Sequence, residues 1–417
     1  MKSVLAEIIT IGDEILYGQI IDSNSQWISA ELDKASIKTI RKTTIGDSEE
    51  EIMTALQEAE NRAAIVIVTG GLGPTNDDLT KPCLVNYFNT KLVTNPEALA
   101  NLEELYRSIG KVITPLNRKQ AELPETCQMI PNKIGTASGM WFDKDDTTFV
   151  AMPGVPHEMK LMMTSYIIPQ LQKKYKTPNI YHKIVKTVGI GESDLAILIE
   201  KWEKNLPKHI KLAYLPSLAQ VKLRLTAIGE NREELKKEVK EQIQLLLPLA
   251  EKYIYGYDKD ELAQVVGKLL KANNQNIAVA ESCTGGYISH LITSIPGSSA
   301  YFRGGITPYQ NDVKVNMLQV KAETIFKHGA VSEQTVVEMA ENVRTLYHTD
   351  YGLATTGIAG PGGATPEKPV GTIWIAVADG KTTKTKLLHL WKDRELNIKT
   401  TAIAILNLTR KRLIENN

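Results

Sequence analysis

An apolar, β-branched run from Val4 to Ile11 ends in Gly12-Asp13-Glu14 and precedes a helical pattern from about Asn24 to Leu32. This order reads as strand, loop, helix. It repeats, with Ser48 to Glu60 as a helix opening on an acidic turn and Ala64 to Val68 as a buried strand running into Thr69-Gly70-Gly71-Leu72-Gly73-Pro74-Thr75. Strands alternating with helices predict a parallel sheet covered on both faces. Ligands of such sheets sit beyond the carboxyl ends of the strands, so the acidic and glycine-rich segments are expected on one rim. The texture changes after the helix that follows Pro156. Ile184 to Val188, Ile210 to Tyr214 and Val221 to Ala227 read as strands, with helices near Asp194 to Trp202 and Arg232 to Leu247, a small α+β insert. Near Tyr257 the alternation restarts: helix Asp260 to Ala272, strand Ile277 to Ala280, a helix after Thr284, helix Glu333 to Leu346, strand Tyr351 to Thr355, strands near Thr372 to Ala378 and Thr385 to Leu390, and a closing helix.

Length agrees with three parts. At roughly 100–200 residues per domain, 417 residues divide into an α/β domain over 1–172, an α+β domain over 173–256 and a second α/β domain over 257–417. Lys plus Arg number 49 against 48 Asp plus Glu, which lacks the basic footprint of a dedicated nucleic-acid binder. Cys83, Cys127 and Cys283 form neither a disulfide framework nor a zinc pattern, and a cytoplasmic location is expected. No apolar run approaches the roughly 18 residues that span a bilayer.

On the first rim, Gly70, Gly71, Gly73 and Gly154 allow close backbone approach, and Thr75 with Asn76 is placed to cap the next helix, whose amides would favour a phosphate. Asp13, Glu14, Asp22, Asp47, Asp77 and Asp78 fall on the same rim. Carboxylates beside a phosphate repel it unless a hard cation such as Mg²⁺ intervenes; the alternative is that Asp77 and Asp78 merely occupy a first helical turn. His157, at a helix start after Pro153-Gly154-Val155-Pro156, reads as a surface or capping residue rather than a metal ligand. In the third domain, Ala280-Glu281-Ser282-Cys283-Thr284-Gly285-Gly286 delivers a serine onto a turn before a helix, like a nucleophile elbow without its usual spelling. Small residues after Ser282 and the helix start predict an oxyanion site. His290 would point away. Lys314 is the candidate base, if desolvated, with Tyr309 sharing its proton; Ser282 as a helix cap and Lys314 as a surface charge is the plainer alternative. Cys283 is expected to face the core.

Ile11-Gly12-Asp13-Glu14-Ile15-Leu16, Asp22-Ser23-Asn24, the Thr69 to Thr80 segment and Pro153-Gly154-Val155-Pro156-His157-Glu158 together resemble the N-terminal domain of the CinA (competence/damage-inducible) family, itself similar to molybdopterin-binding MogA and MoaB proteins. Ala280 to Gly286, Pro296 to Phe302, Gly329 to Ser332, Thr356 to Gly363 and Lys368 to Thr372 resemble the PncC amidohydrolase domain. The resemblance implies a three-layer α/β domain, a KH-like middle domain and an α/β amidase domain. It implies two activities: conversion of nicotinamide mononucleotide to nicotinate mononucleotide plus ammonia, and ADP-ribose pyrophosphatase activity. Carried over by motif, Ser282 is the nucleophile and Lys314 the base, Ser299 and Tyr309 support them, and Ser299 is the fallback nucleophile. Thr284, Gly285, Gly286, Gly357, Ile358, Ala359 and Gly360 would bind oxyanion and nucleotide. Asp13, Glu14, Asp47 and Asp78 would hold a divalent cation (Mg or Co), with K⁺ promoting the reaction, while the amidase site needs no cofactor. A homodimer is expected. The rival readings are a molybdopterin-binding protein and a non-enzymatic partner of competence or recombination machinery. The middle segment carries no Gly-x-x-Gly clamp for RNA.

Overall fold

A computed structural model describes residues 4–75 and 77–416. The chain divides into two compact units, one up to Tyr181 with 228–235, the other 182–227 with 236–417. Among the described residues no helix is long and apolar enough to cross a membrane.

The first unit is built on a six-stranded sheet. Strand Val4–Ile11 pairs in parallel with Ile37–Ile45 on one side and Ile65–Thr69 on the other, and Ile65–Thr69 pairs in parallel with Thr147–Met152. The register aligns Thr10 with Thr44 and with Thr69, and Thr69 with Met152. The strand ends before Gly12, Gly46, Gly70 and Pro153 therefore open on one rim, as the sequence pattern requires. The sheet is not wholly parallel: Gly139–Lys144 returns antiparallel to Thr147–Met152, and Gln128–Ile130 antiparallel to Gly139–Lys144. Two residues separate Lys144 from Thr147, and Asp145 takes a left-handed φ of 49°. That length permits a hairpin and excludes a crossover helix.

Helices cover both faces. In Ser23–Lys34 the buried Ile28 and Leu32 lie four residues apart on the inner stripe, and Asp22 caps the start by accepting the Ser25 amide at 2.9 Å. Glu49–Glu60 buries Ile52, Leu56 and Ala59 in the same way. The helix after Pro156 runs to Tyr175, past the expected boundary at 172, and contains a π turn at Met163–Ile167 just before Pro169, which has no amide to continue the ladder.

One charge sits inside the central strand. Glu7 is fully buried, and both its oxygens accept from Arg62, through Nε and Nη2 at 3.0 Å each, with the Thr43 hydroxyl donating at 3.0 Å. Removing one partner of such a pair strands the other. Arg62→Ala is expected to cost about 3 kcal/mol by chemical denaturation at neutral pH. A loss below ~1 kcal/mol would mean that Glu7 does not depend on this guanidinium.

The second unit holds two sheets. Asn179–Val188, Ile210–Ser217, Gln220–Gly229 and Ile254–Tyr257 form a four-stranded sheet in the spatial order second, third, first and fourth, with helix Glu192–Lys204 burying Leu195, Ile199 and Trp202. The spatial order places Ile210–Ser217 at one edge and Ile254–Tyr257 at the other. This is the α+β insert. Downstream, Phe302–Ile306, Ile277–Glu281 and Tyr351–Gly357 pair in parallel, and Thr372–Ala378 and Thr383–His389 extend the sheet antiparallel. Alternation in the central strand decides its two faces. Ile277 and Val279 join Val266, Leu270, Ile288 and Ile405 on one side, while Ala278 and Ala280 join Val336, Met339 and Val343 on the other. The fully buried central strand ends at Glu281, so Ser282 emerges at its carboxyl end.

Candidate functional sites

The Ser282 site begins with a charged residue that closes an apolar strand. Glu281 is buried, and its carboxylate accepts the amides of Gly286, Ile288 and Ser289 at 3.1, 2.9 and 2.8 Å and the Ser289 hydroxyl at 2.7 Å. It thus occupies the start of helix Tyr287–Thr293. The expected use of Gly286 and of that helix end for an oxyanion is corrected here: an internal carboxylate already consumes those donors. Gly285 also turns inward, its amide donating to Ser282 O at 3.2 Å. The amides of Cys283 and Thr284, by contrast, reach no carbonyl or carboxylate among the described residues. They lie directly after Ser282, where an elbow nucleophile finds its oxyanion donors.

Lys314 lies on helix Asn311–Asn316 and is 2 % exposed; Ser282 is 8 % exposed. The Lys314 Nζ stands 3.1 Å from Ser282 Oγ, 2.8 Å from Pro308 O and 3.2 Å from Tyr309 O. Burial holds its pKa below the ordinary lysine value. Two carbonyls take two N–H bonds, so in the neutral amine the third direction, the lone pair, is left for the serine hydroxyl. Tyr309 is placed differently from expectation. Its carbonyl, not its phenol, meets Lys314, and its hydroxyl accepts from Arg394 at 2.8 Å. Ser299 is exposed on the short turn Ser298–Ala300, and none of the hydrogen bonds of Ser282 or Lys314 reaches it. Cys283 is buried as expected, and burial pushes its thiol up to about 12, out of reach as a nucleophile. His290 is exposed and stacks on Tyr287.

The loop from Gly357 folds back on this side of the sheet. Ile358 donates to Thr372 O at 3.0 Å, so its amide is committed. Asn397 holds Ala359 O at 3.0 Å and Arg394 holds Gly360 O at 2.8 Å, which leaves the Ala359 and Gly360 amides without an acceptor among the described residues. At Gly357 any Cβ would collide with Ile373. Arg394, which no sequence motif flagged, links this loop to Tyr309.

The N-terminal rim encloses a cleft of about 470 Å³, lined by Glu14, Asp22, Asp47, Gly71, Asp77 and Gly154 among others. Gly70 adopts φ 114°, and a Cβ there would fall on the Ile11 carbonyl, so only glycine fits. The expected phosphate donors need redistribution. Gly70 N–H donates to Met152 O at 3.1 Å, and the Gly73 and Thr75 amides both donate to Asp78, at 2.8 and 2.9 Å. The amides of Gly71, Leu72 and Gly154 reach no acceptor among the described residues and are the ones available. Helix Thr80–Tyr87 starts later than the Thr75-Asn76 cap predicted, and Asn76 itself lies outside the described residues. Asp77 and Asp78 are therefore loop residues rather than a first helical turn. Asp78 also accepts the Thr75 hydroxyl at 2.5 Å, which makes it the brace of this loop.

Asp13 and Asp47 interlock, Asp13 N–H donating to Asp47 at 3.2 Å and Asp47 N–H to Asp13 at 3.4 Å. Burial, then the Asp13, Glu14 and Asp77 carboxylates, push the Asp47 carboxyl above its ordinary value, against the opposing Asp13 hydrogen bond. A nearby cation would relieve that crowding. Among the described residues no three His, Cys, Asp or Glu side chains form a ready cage. The residues fit a cation held by one or two carboxylates plus the phosphates of a ligand, which is the usual habit of Mg²⁺. His157 is exposed and outside the cleft lining. Gln120 and Thr136 line the cleft without having been singled out by motif, and Asn24 and Glu158, which stand in the quoted motifs with no role given to them, line it too.

Residues 7–173 match the family described as a probable molybdopterin binding domain, 182–256 the CinA KH domain and 259–413 the CinA C-terminal domain. A CinA-like protein of Cytophaga hutchinsonii is 53% identical over 99% of both chains, and one of Flavobacterium psychrophilum 44% identical over the same share. A solved CinA superfamily protein of Klebsiella pneumoniae 700603 is 30% identical, covers 37% of this chain and 96% of its own, and has a TM-score of 0.36. With both relatives matched along nearly their whole length, the chain belongs to the CinA family.

Proposed function

We propose that the C-terminal domain is a Ser/Lys amidase acting on nicotinamide mononucleotide, and that the N-terminal cleft hydrolyses ADP-ribose with a divalent cation. The carrying observation for the first is the buried Lys314 Nζ 3.1 Å from Ser282 Oγ. A lysine held there at lowered pKa takes the serine proton as Oγ attacks the carboxamide carbon. The resulting oxyanion sits at the Cys283 and Thr284 amides. Collapse breaks the C–N bond, and the Lys314 ammonium returns its proton to the departing ammonia. Water, deprotonated by the same amine, then hydrolyses the ester and frees nicotinate mononucleotide and Ser282. The Ala359 and Gly360 amides, which no internal acceptor takes among the described residues, would receive the nucleotide phosphate.

At the N-terminal cleft, the Gly71, Leu72 and Gly154 amides would bind the pyrophosphate oxygens, and Asp47 with Glu14 would hold the cation. That cation would neutralise phosphate charge and lower the cost of bringing a water to phosphorus. Water adds to one phosphorus as the bridging P–O bond breaks, giving AMP and ribose 5-phosphate.

The test is a substrate screen with nicotinamide mononucleotide and ADP-ribose, each with and without chelator. Ammonia release is expected to survive chelation, and AMP formation to vanish with it. Chelator-sensitive ammonia release would overturn the metal-free Ser/Lys reading, and absence of AMP with metal restored would overturn the pyrophosphatase.

A further inference from the structure

Gln120 is 3 % exposed, lines the N-terminal cleft, and has both atoms of its carboxamide without a hydrogen-bond partner among the described residues. A buried donor and a buried acceptor left unpaired each carry their full desolvation penalty, so native structures seldom retain them without use. Asn24 repeats the pattern. It is 7 % exposed and on the same cleft, its Nδ2 fixed by Gly154 O at 2.7 Å, its Oδ1 unpartnered. Gln120 belongs to none of the motifs above, Asn24 closes the Asp22-Ser23-Asn24 segment, and neither is needed to bind phosphate or cation. The same cleft carries an apolar border: Ile20 and Ile21 line it while 52 % and 86 % exposed, and Leu72 and Val155 line it too.

We infer that Gln120, with Asn24 on the same cleft as a further acceptor, reads the hydrogen-bonding edge of a flat heterocycle that carries an adjacent donor and acceptor. A carboxamide offers one N–H and one C=O in a plane, the complement of an aminopurine edge, and a pterin edge has the same character. The apolar border covers the ring face, and the glycine and carboxylate rim takes the phosphates. The inference rests on this cleft being the ligand site described above, and it adds which part of the ligand confers selectivity.

The probes are AMP, neopterin and ribose 5-phosphate, titrated calorimetrically against the full chain and against Gln120→Leu and Gln120→Glu. Gln120→Leu removes both polar atoms at similar volume. It is expected to weaken AMP or neopterin at least tenfold, to leave ribose 5-phosphate within twofold, and to leave the ligand-free melting temperature no lower. Gln120→Glu, which keeps an acceptor and loses the donor, is expected to fall between. A loss confined to AMP identifies the ring as a nucleobase, and one confined to neopterin identifies it as a pterin. Binding of both rings within twofold of wild type in Gln120→Leu overturns the inference. So does equal weakening of ribose 5-phosphate, or failure of the wild-type chain to bind either ring at millimolar concentration. If ADP-ribose is not cleaved but ring affinity depends on Gln120, the pyrophosphatase reading falls and the recognition role stands.

Discussion

Ser282→Ala is expected to reduce ammonia release from nicotinamide mononucleotide by roughly 10⁴–10⁶-fold while ADP-ribose cleavage continues at the wild-type rate. The magnitude follows from losing a covalent step whose parts act as a unit. For the same reason Lys314→Met should be nearly as inactive, and the double variant no slower than Ser282→Ala alone. Lys314→Arg separates charge from basicity: a guanidinium keeps the cation but cannot accept the serine proton. The pH profile supplies the sign. Protonated Lys314 cannot act as a base, so kcat/KM rises with pH as the ammonium is lost. Because burial holds its pKa below the ordinary lysine range, near 10.4, that ascending limb lies below this range. Ammonia release unchanged in Ser282→Ala would remove Ser282 as nucleophile and turn attention to Ser299. An ascending limb that persists in Lys314→Arg would assign the titration to another group.

The features that sequence reading reached and those it missed differ in kind. Strand ends, glycines and the Ser282 turn were legible because each is local: an apolar β-branched run, then residues that tolerate a sharp loop. The approach of Lys314 to Ser282 is not local. It depends on Phe302–Ile306 pairing beside Ile277–Glu281, which places the following helix over the serine. The hairpin that makes the first sheet mixed was hidden in a stretch with weak periodicity, although Asp145-Asp146 between two apolar runs was its signal. Glu281 could have been found from a charge at the end of an otherwise apolar strand, since a buried carboxylate needs donors and the nearest are the amides of the next helix. Gln120 and Arg394 could not: a neutral amide in a short turn and an arginine at a helix start are ordinary until tertiary structure shows what surrounds them. That Asp78 braces its own loop while it also lines the cleft has the same origin. Composition cannot tell a carboxylate facing a ligand from one consumed by its own turn.

Asp47→Asn is expected to lower ADP-ribose cleavage by about 100-fold or more and to leave ammonia release untouched, while making the ligand-free protein more stable at neutral pH. Opposite signs in stability and activity distinguish a site residue from a structural one. The stability sign follows from the raised pKa of Asp47. A carboxyl that holds its proton more tightly when folded binds more protons in the native state than in the unfolded chain. Stability therefore falls as pH rises from the unfolded value through the folded one, and the penalty is present in full above the folded pKa. Asparagine removes that penalty at pH 7, keeps a side-chain oxygen for the Asp13 amide, and loses its advantage as the pH drops toward the ordinary aspartate range. Divalent cation reverses the order, because an ion that binds only the folded state stabilises it by mass action. Titrating Mg²⁺ should raise the melting temperature of the wild-type chain more than that of Asp47→Asn, and the variant's residual AMP formation should require higher Mg²⁺. A variant that cleaves ADP-ribose at the wild-type rate with the same Mg²⁺ midpoint would place the cation elsewhere on the rim. One that melts lower than wild type without metal would show that the Asp13–Asp47 pair holds the loops together more than it strains them.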